Sequence, residues 1–110
     1  MQKKHVCILA LKNANYASIV DSRAVFEKAN ELYKHRYDSA YFAIQIIAEE
    51  SELTIERGLI TIKADATVAD TVACDLIIIP AMRGDLLSSN HLNRYFVDWI
   101  IKRYRENCEI

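Results

Sequence analysis

The chain has 110 residues, of which 52% are hydrophobic and 26% charged, a length and balance suited to one globular domain and incompatible with intrinsic disorder. Two glycines and one proline exclude collagen-like, low-complexity and glycine-loop phosphate-binding readings, since a G-x-G-x-x-G cradle alone consumes three glycines. Fourteen basic against fifteen acidic residues leave a net charge of −1, without the basic footprint needed to grip a phosphate backbone.

Lys3 and Lys4 precede an apolar run, Val6 to Leu11, that stops at Lys12-Asn13. The run is too short for a signal-peptide core and lacks a small-residue cleavage site, so it reads as a strand. Nothing approaches the ~18 consecutive apolar residues of a membrane span. The three cysteines, Cys7, Cys74 and Cys108, form no C-x-x-C pair and leave one thiol over in any disulfide scheme. That suits a soluble protein of the reducing cytoplasm.

In chain order, His5 to Leu11 is a continuous apolar run expected to form a central strand. Ser18-x-x-Asp21 has the spacing of a capping box, and Val25, Phe26, Ala29, Leu32 and Tyr33 recur at helical spacing to about His35. Tyr41 to Ala48 predicts a second buried strand. Leu53 to Glu56 and Leu59 to Lys63 flank Arg57-Gly58 as a hairpin with one solvated face. Asp75 to Pro80, DLIIIP, is the strongest strand signal, closed by a proline that stops the ladder.

Ser88, Ser89 and Asn90 offer caps to a last helix whose Leu92, Tyr95, Phe96, Trp99 and Ile100 form a broad apolar stripe. Asn107 to Ile110 is expected to turn into a further strand that the chain does not complete. The order β-α-β, hairpin, β-α predicts an open, mostly parallel α/β sheet with flanking helices and a hairpin excursion. Ligands of such sheets bind beyond the carboxyl ends of the strands. The Leu11–Ser18 and Ala81–Asp85 loops should therefore lie side by side as the candidate site.

The segments HVCILAL from His5, VDSRAVFEKANELY, ERGLITIKAD, DLIIIPAMRGDL and FVDWIIKRYREN, in that order, resemble the first half of a ThiJ/PfpI-like domain of the class I glutamine amidotransferase-like superfamily. The version resembled most is the ligand-sensing domain at the N-terminus of AraC-type transcriptional regulators. The resemblance implies a flavodoxin-like fold, with residues 1–110 as its N-terminal part. A nucleophile-elbow half and a helix-turn-helix domain would follow outside this chain. Enzymes of that superfamily use a cysteine at the elbow and an acid after the first strand. Here the acidic position falls on Ser18, and Cys108 lies a few residues short of the elbow, so no catalytic residue is carried over.

The ligand-pocket candidates are Asn13, Asn15, Ser18, Met82, Arg83, Gly84 and Asp85. Each has a plainer structural role beside it. Ser18 and Asp21 account for themselves as helix caps, and Asn13 and Asn15 as turn residues. Arg83 can clamp a carboxylate with Gly84 letting backbone amides approach, or the three residues after Met82 form a surface turn with Gly84 at positive φ and Asp85 capping the next turn. His5 and Cys7, two apart on a strand, and the isolated Cys74 and His91 read as structural, so no metal or cofactor is expected. No G-x-S-x-G exposes a serine.

Two functions remain in view. One is a non-catalytic ligand-sensing and dimerisation module of an AraC-type regulator, taking an unknown small-molecule effector and reaching DNA only through a domain outside this chain. The other is a fragment of a ThiJ/PfpI-like hydrolase or isomerase lacking its elbow. A second stripe on the last helix, Val97, Ile101 and Tyr104, makes it apolar over more than one contact buries. These three are the interface candidates for a homodimer.

Overall fold

The computed structural model describes residues 3–70 and 73–110. Its elements are β1 (Lys4–Leu9), α1 (Tyr16–Tyr37), β2 (Phe42–Ala48), β3 (Glu52–Ile55), β4 (Ile60–Lys63), β5 (Ala66–Thr67), β6 (Leu76–Ile78), α2 (Leu86–Leu92) and α3 (Arg94–Arg105). Four strands form one sheet in the order β5-β2-β1-β6, and every neighbouring pair is parallel. The open, mostly parallel α/β sheet expected from the order of elements, and the flavodoxin-like fold that the resemblance implies, are observed.

β1 is central because its apolar run supplies both faces of the sheet. Val6 and Ile8 point one way and Cys7 and Leu9 the other, and all four are buried. In register, Val6 lies opposite Ile44 and Ile8 opposite Ile46, while Cys7 and Ile8 lie opposite Ile77 and Ile78 of β6. α1 covers the face of Val6 and Ile8: its Phe26 meets Phe42 edge-on, with ring centroids 5.0 Å apart. α3 covers the other face, contributing the buried Phe96 and Trp99 as an edge-to-face pair at 5.9 Å.

The sheet-facing stripe of α1 differs from the expected one. Ile19 is buried and Ser22, Phe26, Ala29, Asn30 and Tyr33 are half-buried, whereas Val25 and Leu32 are exposed. At about 100° per residue, Val25 and Leu32 fall one step outside the strip that Ile19 and Phe26 define. Asn30 fastens this helix to β2. Its side-chain oxygen accepts from the N–H groups of Tyr41 and Phe42, and its Nδ2 donates to the Phe42 carbonyl.

The helix also begins earlier than the capping box implied. Asn15 is the N-cap, its side chain accepting from the Ala17 N–H, and Ser18 sits within the first turn. Neither Ser18 nor Asp21 caps. Asn15 wins because its short acceptor reaches an orphan amide from extended backbone at φ −77°.

β3 and β4 pair as predicted around Arg57-Gly58, in a separate two-stranded sheet. Leu53, Ile55, Ile60 and Ile62 line one face, while Thr54 and Thr61 share a 2.9 Å hydroxyl contact on the other. β5, only two residues long, was not foreseen. β6 starts at a carboxylate: Asp75 Oδ2 accepts from the His5 N–H at 2.7 Å. After α3 the chain turns, and where a further strand is expected Glu109 makes an isolated parallel bridge to Leu76.

The single last helix is in fact two. Asp85 caps α2, accepting from the Ser88 N–H, and Asn93 separates α2 from α3. Ser88, Ser89 and Asn90 therefore lie inside a helix and are not its caps. Leu92 and Tyr95 are exposed, because the break at Asn93 rotates them out of the stripe that keeps Phe96, Trp99 and Ile100 against the sheet. Since Trp99 is 8% exposed, Trp99→Ala should lower the unfolding free energy by about 3–5 kcal/mol in urea melts. A loss below about 1 kcal/mol would show that α3 does not seal the core.

Candidate functional site

From β1 the chain moves through β2 to β5 on one side and then returns to the other side of β1 as β6. The carboxyl ends of β1 and β6 thus diverge at the point where strand order reverses, which opens a crevice in sheets of this type. The segments that leave these two strands are stitched to each other. The Asn15 N–H donates to the Ala81 carbonyl at 2.8 Å, the Ala81 N–H to Ser18 Oγ at 2.8 Å, and the Arg83 N–H to the Asn13 carbonyl at 2.7 Å. Ala14 and Met82 form an isolated antiparallel bridge between them.

Asn93, buried between α2 and α3, holds the same place from behind. Its Oδ1 accepts from the Lys12 N–H at 2.8 Å and its Nδ2 donates to the Lys12 and Ser89 carbonyls. The buried Ser89 hydroxyl donates to the Arg83 carbonyl and meets Asn13 Nδ2 at 3.4 Å.

Over this platform lies the tip of the β3–β4 hairpin, and between them is an open cleft of about 660 Å³. Lys12, Asn13, Arg83 and Gly84 line one wall, and Thr54 to Gly58 the other. Five of the seven described residues with positive φ line it: Asn13, Glu56, Arg57, Gly58 and Gly84. The remaining two, Asp38 and Asn107, end helices. Left-handed backbone at Glu56 and Arg57 is costly for residues with a Cβ. The strain is held by what Glu56 gains: its Oε1 accepts from the Tyr16 N–H at 3.1 Å and from Arg83 Nε at 3.0 Å.

Three cations border the cleft. Lys12 pairs with Glu49 at 3.2 Å and Arg83 with Glu56 at 3.0 Å. Arg57 has no ion-pair partner among the described residues. The Tyr16 N–H, and after it Arg83, hold the Glu56 carboxyl below its ordinary value. The arrangement can take a small anion: a carboxylate entering here would meet the guanidinium donors of Arg57 and Arg83. Among the described residues, no cluster of three or more His, Cys, Asp or Glu side chains is placed to hold a metal.

Of the residues singled out in the sequence, Asn13, Arg83 and Gly84 line the cleft. Asn15 and Ser18 lie behind it as ties to Ala81, and Asp85 caps α2, with the Ser88 hydroxyl holding its carboxyl below the usual range. Met82 faces a second, apolar groove of about 400 Å³ with Leu11, Ile79, Leu86, Phe96 and Val97. Ile101 and Tyr104 are exposed on α3.

Lys12, Glu56, Arg57, Ser89 and Asn93 were missed. The E-R-G turn was visible as a hairpin, but nothing local signals that its tip docks onto a loop 27 residues away. Cys74 was read as isolated, yet its sulfur is 3.0 Å from that of Cys108, because β6 and the turn after α3 meet at Leu76 and Glu109.

Among solved structures, the chain is similar to a "putative transcriptional regulator protein" from Vibrio parahaemolyticus, with 22% identity and a TM-score of 0.73 over 96% of this chain. It spans about half of that protein, 53% of its length. It is also similar to a two-domain protein from Anabaena variabilis containing DJ-1/ThiJ/PfpI-like and ferritin-like domains, at 17% identity and a TM-score of 0.48, over 91% of this chain and 27% of that one. No protein-family model matches the chain, and neither does any curated protein. The first likeness is one of fold. No helix among the described residues is long and apolar enough to cross a membrane.

The depressed Glu56 carboxyl has a pH signature. A group bound as its anion contributes its tie above the ordinary value and loses it as pH falls through the lowered one. The hairpin tip should therefore stay docked at neutral pH and release only in acid. By NMR, the Glu56 carboxyl should titrate below the ordinary value of about 4.3. Arg83→Ala should raise that midpoint only part of the way, because the Tyr16 N–H is the larger cause. A midpoint at or above 4.3 would mean that the hairpin is not held there.

Proposed function

We propose that this chain is the N-terminal part of the ligand-sensing and dimerisation domain of an AraC-family transcriptional regulator, and that it binds a small anionic effector without transforming it. The observation that carries this reading is the cleft itself, where Arg57 and Arg83 flank strained backbone at the point where strand order reverses. The same fold in a protein described as a "putative transcriptional regulator protein" supports the class. The acid expected of a superfamily enzyme after the first strand is here Ser18, whose hydroxyl accepts the Ala81 N–H at 2.8 Å. A hydroxyl so placed positions a loop but carries no charge with which to activate a thiol.

In this reading the effector replaces Glu56 as the partner of Arg83. The hairpin tip and the loop after β6 then shift together, and α2, which begins at that loop, passes the change through α3 to a dimer face at Val97, Ile101 and Tyr104. Paired subunits suit a regulator whose DNA modules, outside this chain, read paired half-sites.

The test is amide chemical-shift mapping with a panel of small mono- and dicarboxylates, followed on the same samples by light scattering. Saturable shifts are expected at residues 12–15, 56–58 and 83–85, in a dimer. Arg83→Ala and Arg57→Ala should each weaken binding about tenfold or more. Chemical turnover of a probe would favour a hydrolase or isomerase fragment. Saturation confined to the apolar groove, or a monomer that takes up no hydrophobic dye, would contradict the proposal.

A further inference from the structure

The amino-terminal edge of the sheet, away from the cleft, holds three cysteines. Cys7 is fully buried in β1, Cys108 is buried in the turn after α3, and Cys74 is half-buried just before β6. The Cys74 and Cys108 sulfurs stand 3.0 Å apart. The main chain already holds the two segments together: the Ile77 N–H donates to the Glu109 carbonyl at 2.8 Å and the Glu109 N–H to the Asp75 carbonyl at 3.1 Å. The two sulfurs, 34 residues apart in sequence, are therefore held together next to a single bridge of two main-chain hydrogen bonds made by Glu109.

We propose that Cys74 and Cys108 form a peroxide-responsive thiol pair that closes to a disulfide and locks the segment after α3 onto β6. Cys74, the more exposed of the two, takes the first step. Its sulfur attacks one oxygen of hydrogen peroxide, the O–O bond breaks, and the products are a Cys74 sulfenic acid and one water. Cys108 sulfur then attacks Cys74 sulfur. The S–O bond breaks, and the departing hydroxide takes the Cys108 thiol proton as a second water. The thiol pair loses two electrons and the peroxide gains them.

The surroundings disfavour both thiolates, so the pair reacts with peroxide more slowly than a free thiolate would. Burial and the Cys74 contact push the Cys108 thiol up to about 12, and the contact with Cys7 pushes Cys74 up further. Both rest as thiols. The Arg103 guanidinium pulls both down and Asp75 raises Cys108, but these are smaller effects than burial and the contacts among the sulfurs. Cys7, held below its ordinary value by the Cys74 thiol, takes no part in the bond because it is enclosed within the sheet. Closure would fix the bridge between Glu109 and Leu76 in its register, and with it the turn after α3 on β6.

Trypsin separates the three cysteines into peptides 5–12, 64–83 and 106–110, so the bond can be mapped in the unmodified chain. After prolonged exposure to hydrogen peroxide, the intact chain should lose about 2 Da, with peptides 64–83 and 106–110 linked and 5–12 free. Dithiothreitol should reverse the change. Cys74→Ser and Cys108→Ser should each abolish the link, and Cys7→Ser should leave it. Three thiols still free, sulfinic acids formed without a link, a link that includes peptide 5–12, or a bond between two chains would each overturn the proposal. Because the wild-type map decides the matter alone, a variant that fails to fold does not blunt the test.

Discussion

Everything at the carboxyl ends of the strands hangs on a short seam of main-chain contacts between the segment after β1 and the segment after β6. Asn15 bonds to Ala81, Arg83 bonds to Asn13, and Ser18 receives the Ala81 N–H. A parallel sheet that changes direction at β1 pulls these two segments apart, and without the seam the crevice would be two independent loops. With it they act as one unit, braced from below by the buried amide of Asn93. The position of Lys12, the αL turn at Asn13 and the reach of Arg83 all follow from that bracing.

Chemistry is added by an element that the sheet does not need. The β3–β4 hairpin is a separate two-stranded sheet, yet its tip is bent over the seam through two consecutive left-handed residues, Glu56 and Arg57. Strain of this kind persists only where surroundings over-determine it, and here the Glu56 carboxylate does so by joining Tyr16 and Arg83. The result is a cleft in which Arg83 is already paired, and under the proposed sensing role an incoming anion would have to compete with Glu56 for it. In that proposal the competition would turn binding into movement, because displacing a partner is a change of contacts and not merely an addition.

Most of the scaffold was legible in the residues. β1, β2 and β6 are continuous apolar runs, and buried parallel strands have no other means of satisfying two covered faces. The side-by-side loops followed from element order alone. What could not be read was whatever depends on contact between distant segments. Ser18 fits a capping box in sequence but gives its oxygen to Ala81, 63 residues away. The last two helices read as one because Asn93 is an unremarkable residue in a helical pattern until its amide is seen closing on Lys12. Val25 and Leu32 entered the α1 stripe because spacing alone does not say which edge of a broad apolar face turns inward. Arg83 and Gly84 were found from their place after a strand end. Glu56 and Arg57, on a hairpin tip, carried no such mark, and the pairing of Cys74 with Cys108 rests on a bridge of one residue pair.

Amide hydrogen exchange tests the seam most directly. In the native chain the amides of Asn15, Ala81 and Arg83 should exchange slowly, protected like the core strands and not like surface loops. In Ser18→Ala, protection should fall chiefly at Ala81, since only its acceptor is removed, while β1 stays protected. If those three amides exchange at free-peptide rates in the native chain while β1 remains protected, the two segments are not joined and the cleft is not a built site.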